Sequence, residues 1–267
     1  MIRVIVNADD FGLDENRTKA ILTAYRMGAI TTTTAMTNMP WFERAVEQAK
    51  GTELFSNIGL HLTLTEGMPL TERIRKCPRF CNPDGSFNAC FHRHAMTRLV
   101  LSKEERAGVA EEAEAQMAKY IAAKLPLLHL DSHHHSHADW SIARVVMPIA
   151  KRMGFKTVRR SRDMGIGFSL SKGCYKFCVN RLLGRYLRFA TVRFGSIDDL
   201  MSTLERLEHD SVVEVMTHPL YRNGSQLTMD GKLMDGNRGN RTIAEVVDLW
   251  RENETQMRLC NYGELKW

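Results

Sequence analysis

Long hydrophobic runs are missing from this 267-residue chain. None approaches the ~20 residues of a membrane-spanning helix, so no membrane partner is expected. An apolar leader core is missing too: the chain enters Ile2-Arg-Val-Ile-Val6 directly, a strand pattern rather than a signal peptide. The six cysteines (Cys77, Cys81, Cys90, Cys174, Cys178 and Cys260) lack the paired Cys-x2-Cys spacing of a structural zinc site. Reduced thiols in a cytoplasmic setting are therefore expected. No Gly-x-Gly-x-x-Gly turn follows the first strand, which argues against a dinucleotide fold. Charge of one sign is only modestly in excess, with net +6 from 37 Lys and Arg against 31 Asp and Glu. That excess is local, between Arg152 and Arg162 and between Lys172 and Arg193, and no recognised nucleic-acid module surrounds it. Nucleic acid is not an expected partner.

What remains is a chain of 43% apolar residues, long enough for a large core. Short apolar segments alternate with amphipathic ones. Strands are expected over Arg3–Ala8, Thr32–Thr37, Asn57–Thr63, Leu127–Asp131, Lys156–Arg160, Ser211–Thr217 and, more weakly patterned, Met257–Tyr262. Ser102-x-x-Glu105 and Thr242-x-x-Glu245 read as capping boxes opening helices. Further helices are expected over Asn16–Met27, Ser141–Met153 (with Pro148 disturbing its middle) and Ser196–Leu207. Repeated strand–helix units imply an α/β class with a parallel sheet. Seven or so of them favour a closed or nearly closed barrel, in a single domain spanning 1–267. A long loop at 71–94 and an insertion at 163–190, basic and partly helical, interrupt the rhythm.

Five of the ten histidines fall within His129-Leu-Asp-Ser-His133-His-His135-Ser-His137, directly after an apolar run. So many unpaired imidazoles at a strand end would be costly to bury, and neutral imidazole is the commonest metal ligand. Strand parity groups Asn57, Gly59, His61 and Thr63 on one face, and Asn7 with Asp9 on another. It likewise aligns His129, Asp131, His133 and His135. Barrel enzymes present catalytic groups at the C-terminal mouth of such strands. Asn7-Ala-Asp9-Asp10, Gly59-Leu-His61, the histidine run and Glu214-Val-Met-Thr-His218 all supply polar groups there. Adjacent carboxylates repel unless a cation or a proton separates their roles. One carboxylate and two imidazoles suit a divalent metal, leaving a carboxylate as base and a histidine as acid. Metal-assisted hydrolysis follows, with the scissile bond (amide, ester or phosphoester) left open.

Four blocks in order, Val6-Asn-Ala-Asp-Asp-Phe-Gly-Leu13, Gly59-Leu-His-Leu-Thr-Leu64, His129–His137 and Glu214-Val-Met-Thr-His-Pro219, resemble the signatures of the YdjC-like carbohydrate deacetylases. That family includes chitooligosaccharide deacetylases and hopanoid-associated relatives. The resemblance implies a distorted TIM-like (β/α) barrel removing acetyl groups from N-acetylated sugars, N-acetylglucosamine-containing chitooligosaccharides foremost. It implies Asp10, His61 and His133 as metal ligands, Asp9 as the base that activates water on the metal, and His218 as general acid. His135 and His137 would contact substrate or support the ligands, and Arg159 would orient Asp9 or touch substrate. The family association is with Mg2+, whereas the ligand types also suit Zn2+. A homodimer is suggested on the same ground. Competing readings are a phosphoesterase built on the same metal core and a non-catalytic barrel binding sugar or nucleic acid.

Overall fold

The computed structural model describes residues 1–93, 98–165, 169–222, 224–229 and 241–265. Twelve strands are present among them: β1 (Ile2–Phe11), β2 (Thr32–Ala35), β3 (Ile58–Leu62), β4 (His129–Ser132), β5 (Thr157–Val158), β6 (Arg188–Phe189), β7 (Arg193–Ser196), β8 (Val212–Thr217), β9 (Leu220–Arg222), β10 (Gln226–Met229), β11 (Arg241–Thr242) and β12 (Met257–Cys260). Interleaved with them are helices α1 (Glu15–Arg26), α2 (Phe42–Ala49), α3 (Glu72–Arg75), α4 (Cys90–Arg93), α5 (Lys103–Ala122), α6 (Trp140–Arg152), α7 (Leu170–Gly184), α8 (Ile197–Thr203) and α9 (Ile243–Glu252).

One parallel sheet runs in the order β6-β5-β4-β3-β2-β1-β8-β7, with β12 also paired to β1. The first half of β1 pairs with β12 and its second half with β2, while β8 lies along the other side. The two ends of this order are consecutive in sequence. Residues 188–189 pair with β5 and residues 193–196 with β8, so one short stretch spans the gap and curls the sheet into a distorted barrel.

Local chemistry accounts for the elements. β2 is a run of β-branched Thr32, Thr33 and Thr34, side chains that fit a pleated sheet. Helix α5 opens on a Ser102/Glu105 capping box and α9 on Thr242/Glu245. Helix α6 continues through Pro148 and is followed by Gly154 at φ +92°, the left-handed conformation that favours glycine. The stretch expected as a loop from 71 carries α3 and α4, and the 163–190 stretch carries α7 and β6.

Alternation along β1 sets the layers. Val4, Val6 and Ala8 join the main core beneath the helices. Ile5 faces the barrel interior, where it packs with Val212, Cys260, Tyr262 and Leu265 to seal one end. Above that plug the interior turns polar. A small antiparallel sheet, β9-β10-β11, stands apart from the barrel just beyond the C-terminal end of β8.

Candidate active site

Asp9 and Asp10 are sequence neighbours, and a regular strand would send their side chains to opposite faces. The β1–β2 register shifts between Ala8 and Phe11, and Asp10 sits at φ +72°. This irregularity turns Asp10 toward the same cavity as Asp9. Gly12, at φ +83°, completes the turn where a Cβ would lie 3.1 Å from the Phe42 backbone.

Asp10 Oδ1 lies 2.9 Å from His133 Nδ1 and 3.3 Å from His61 Nε2, and all three residues are buried. Burial pushes the Asp10 carboxyl up, but His133 and His61 beside it hold it well below the usual range. His61 and Asp131 are register partners on β3 and β4, and His61 Nδ1 donates to Asp131 Oδ1 at 2.7 Å. That bond leaves Nε2 for the Asp10 side, the arrangement in which a carboxylate fixes a metal-ligating imidazole. Burial lowers the His61 pKa, yet Asp131, Asp10 and Asp9 together raise it to about 10. His133 presents its other nitrogen to Glu66 Oε2 at 2.8 Å. Two imidazoles converging on one buried carboxylate oxygen fit a divalent cation, and these three residues form a group able to hold one.

Below this triad sits Arg159, fully enclosed. Its Nη1 and Nη2 donate to Asp9 Oδ2 and Oδ1 at 2.9 and 2.7 Å. Nη1 also meets Asp131 Oδ2 at 2.7 Å, Nε donates to Glu214 Oε1 at 2.6 Å, and the guanidinium stacks 4.6 Å from the Phe194 ring. Asp9, Asp131 and Glu214 belong to two other acidic groupings. Arg159 already supplies the cation there, which leaves Asp10, His61 and His133 as the grouping suited to a metal. Burial raises the Asp9 carboxyl, but Arg159, joined by His61 and His218, more than offsets it and holds it far below the usual range. Burial raises Glu214, with Arg159 only partly opposing it.

His218 follows β8 and places Nε2 3.9 Å from Asp9 Oδ2, so base and acid candidates face one space. His135 is half-buried and set edge-on to Phe194 at 5.6 Å. Its Nδ1 is buried without a hydrogen-bond partner. Burial and Arg159 push its pKa well down. Both His134 and His135 have left-handed backbones, at φ +52° and +56°, a strain typical of functional turns. His137 lies deeper: Nδ1 meets Ser132 Oγ at 2.6 Å and Nε2 donates to the Arg159 carbonyl at 3.0 Å. It supports the Arg159 backbone. His129 spans Thr157 Oγ1 and the Tyr262 hydroxyl at 2.9 and 3.0 Å inside the barrel.

Five participants lie outside the expected set: Asp131, Glu214, Asn7, Thr34 and Glu66. Asp131 and Glu214 had a signal, since each is a charge on the inward parity of an apolar strand. Asn7 shares the parity of Asp9 and donates to it at 2.8 Å. Thr34 donates to Asp131 at 3.0 Å and Glu66 projects from a loop. Neither carries a sequence pattern.

Comparison with known proteins gives the chain a family. A family model described as YdjC-like protein matches residues 3–259. The chain belongs to the YdjC-like family. This YdjC-like protein is similar to a carbohydrate deacetylase of Brevibacillus brevis, 30% identical over 239 residues that cover 85% of each chain. It is also similar to a carbohydrate deacetylase of Vibrio cholerae, 35% identical over 223 residues covering 82% of this chain and 79% of the relative. Among solved structures, a protein of Enterococcus faecalis provisionally named for cellobiose-phosphate cleavage superposes with a TM-score of 0.72. The match has 21% identity and covers 99% of both chains, a likeness of fold.

Proposed function

We propose that this YdjC-like protein is a metal-dependent deacetylase acting on N-acetylated sugars, with N-acetylglucosamine-containing oligosaccharides as the favoured class. The observation that carries it is a buried Asp10–His61–His133 set beside a separately held, ionised Asp9 and an opposed His218. Asp10, His61 and His133 would hold the divalent ion, Mg2+ by family association or Zn2+ by ligand type. When bound, it polarises the amide carbonyl and acidifies water.

The chain's own groups divide the proton work. Asp9 Oδ1 is occupied by Asn7 and Arg159, at 2.8 and 2.7 Å. Oδ2 accepts once from Arg159 and keeps a lone pair on the His218 side. That oxygen would take a proton from attacking water. His218, whose Nε2 lies 3.9 Å from Asp9 Oδ2, would protonate the departing sugar amine. Arg159 keeps Asp9 ionised and oriented. His135 supplies an unpartnered buried nitrogen for a substrate hydroxyl or acetamide.

Acetate release from a panel of acetylated sugars, diacetylchitobiose first, tests the reading with chelator-stripped protein as control. Release that returns on metal addition is expected. No release from any sugar by metal-loaded protein overturns it. A phosphoesterase reading is less favoured, because the second and third acidic groupings are filled by Arg159 rather than left for a second metal.

A further inference from the structure

We propose that Asn16, in the first turn of α1, is a positioning residue for His218; the inference rests on the deacetylase reading above. His218 and Pro219 connect β8 of the barrel to β9 of the small sheet, so no barrel strand pairing fixes them. Asn16 holds the chain just beyond them, at Tyr221, from outside the barrel. Its Nδ2 donates to the Tyr221 carbonyl at 3.0 Å, and its Oδ1 accepts from the Tyr221 N–H at 2.8 Å. A carboxamide presents N–H donors beside a C=O acceptor, so Asn16 meets both backbone polar groups of Tyr221 as a neighbouring strand would. The adjacent Arg17 donates through Nη1 to the His218 carbonyl at 3.3 Å. Two turns along the helix, Thr23 Oγ1 meets the Tyr221 hydroxyl at 3.1 Å.

The helix that makes these bonds is tied to the other half of the site. Asp14 caps α1 by accepting from the Arg17 N–H at 2.7 Å, four residues beyond Asp10. One short unit therefore carries the base, a metal-ligand candidate and the clamp on the acid-bearing turn. The separation between His218 Nε2 and Asp9 Oδ2 is set through that unit. Asn16 is exposed, so water can replace its bonds in a variant at little cost in stability; what changes is the placement of His218.

The test uses the metal-loaded full chain and the panel sugar turned over fastest. Asn16→Ala is expected to lower kcat about tenfold, the size of ~1.4 kcal/mol, with KM and the thermal midpoint nearly unchanged. Asn16→Asp, which keeps only the acceptor, should fall between. In a His218→Ala background, adding Asn16→Ala should cost nothing further. Amide exchange at Tyr221, read without substrate, should accelerate in Asn16→Ala. Unchanged exchange, unchanged kcat, or a full additional loss on top of His218→Ala each overturns the inference. A wild type inactive on every sugar overturns the deacetylase reading and the catalytic role with it, and Tyr221 exchange then reports the clamp separately.

Discussion

Asp9 and Asp10 share a backbone, yet their partners give them different chemistry. Asp10 faces two imidazoles, whereas Asp9 is gripped by a guanidinium that no metal needs to replace. Asp9→Asn keeps the volume and the Asp10–His61–His133 set. It is expected to bind metal at wild-type stoichiometry while losing about 10²–10⁴-fold in kcat, the usual range for a general base. His61→Ala or His133→Ala should lose the metal as well. Metal content of the three purified variants, set beside acetate release, decides this; equal metal loss in all three would refute the base assignment. Asp131 belongs to the same scale. Asp131→Asn removes the charged acceptor from His61 Nδ1–H and should weaken metal affinity by about 10–100-fold, measured by competition with a chelating dye. Unaltered affinity would mean that His61 needs no carboxylate to orient it.

At the scale of elements, β3 and β4 approach closely enough to bring His61 beside Asp131, and Gly59 makes room for that approach. A Cβ at Gly59 would sit 3.0 Å from Thr34 Cγ2, 3.2 Å from the His129 carbonyl and 3.3 Å from His129 Cδ2. All these neighbours are buried, so Gly59→Ala is expected to destabilise by about 1–3 kcal/mol, the cost of overpacking. Urea unfolding measures it, and a wild-type midpoint would show that β2 and β4 can part at no cost. The long strands and capped helices were legible in the sequence because period-two alternation and capping boxes are local signals. Helix α2 was not: it is short, and Trp41 at its N-cap makes no side-chain cap bond. Strand β6 has two residues, too few for any period to show, whereas the equally short β5 lies inside the strand expected over Lys156–Arg160. Within the site, parity aimed Asp9, His61, Asp131 and His133 inward, but it sends Asp10 outward. Only the β1 irregularity, a property of strand pairing rather than of composition, brings Asp10 in. Glu66 reaches His133 from a loop, where no repeat operates.

Across the whole molecule, the barrel interior is a column of ionisable groups standing on an apolar plug, and two of its histidines are held neutral. Burial and then Arg159, only partly offset by Asp131, bring His129 down to about 3. Burial outweighs the Asp131 charge at His137 and brings it down to about 4. Each ring already spends both nitrogens on neutral hydrogen bonds, His129 with Thr157 and Tyr262, His137 with Ser132 and the Arg159 carbonyl. Above pH ~6.5 both histidines are neutral folded and unfolded, and they give stability no pH dependence. As the pH falls below that, the unfolded chain gains protons that the folded chain refuses. Stability must then drop by up to about 1.4 kcal/mol per pH unit for each histidine, until the folded rings titrate. The depressed carboxylates add to the loss only near and below their unfolded pKa, further into acid. Unfolding free energies of chelator-treated protein, taken by urea titration between pH 7.5 and about 4.5, should therefore fall steeply below 6.5. His137→Asn, which can keep a donor to the Arg159 carbonyl, should flatten that slope by about one histidine's share. His61 and Glu214, whose pKa values are raised, pull the other way, so the variant decides: an unaltered slope in His137→Asn would show that His137 takes up its proton as readily folded as unfolded.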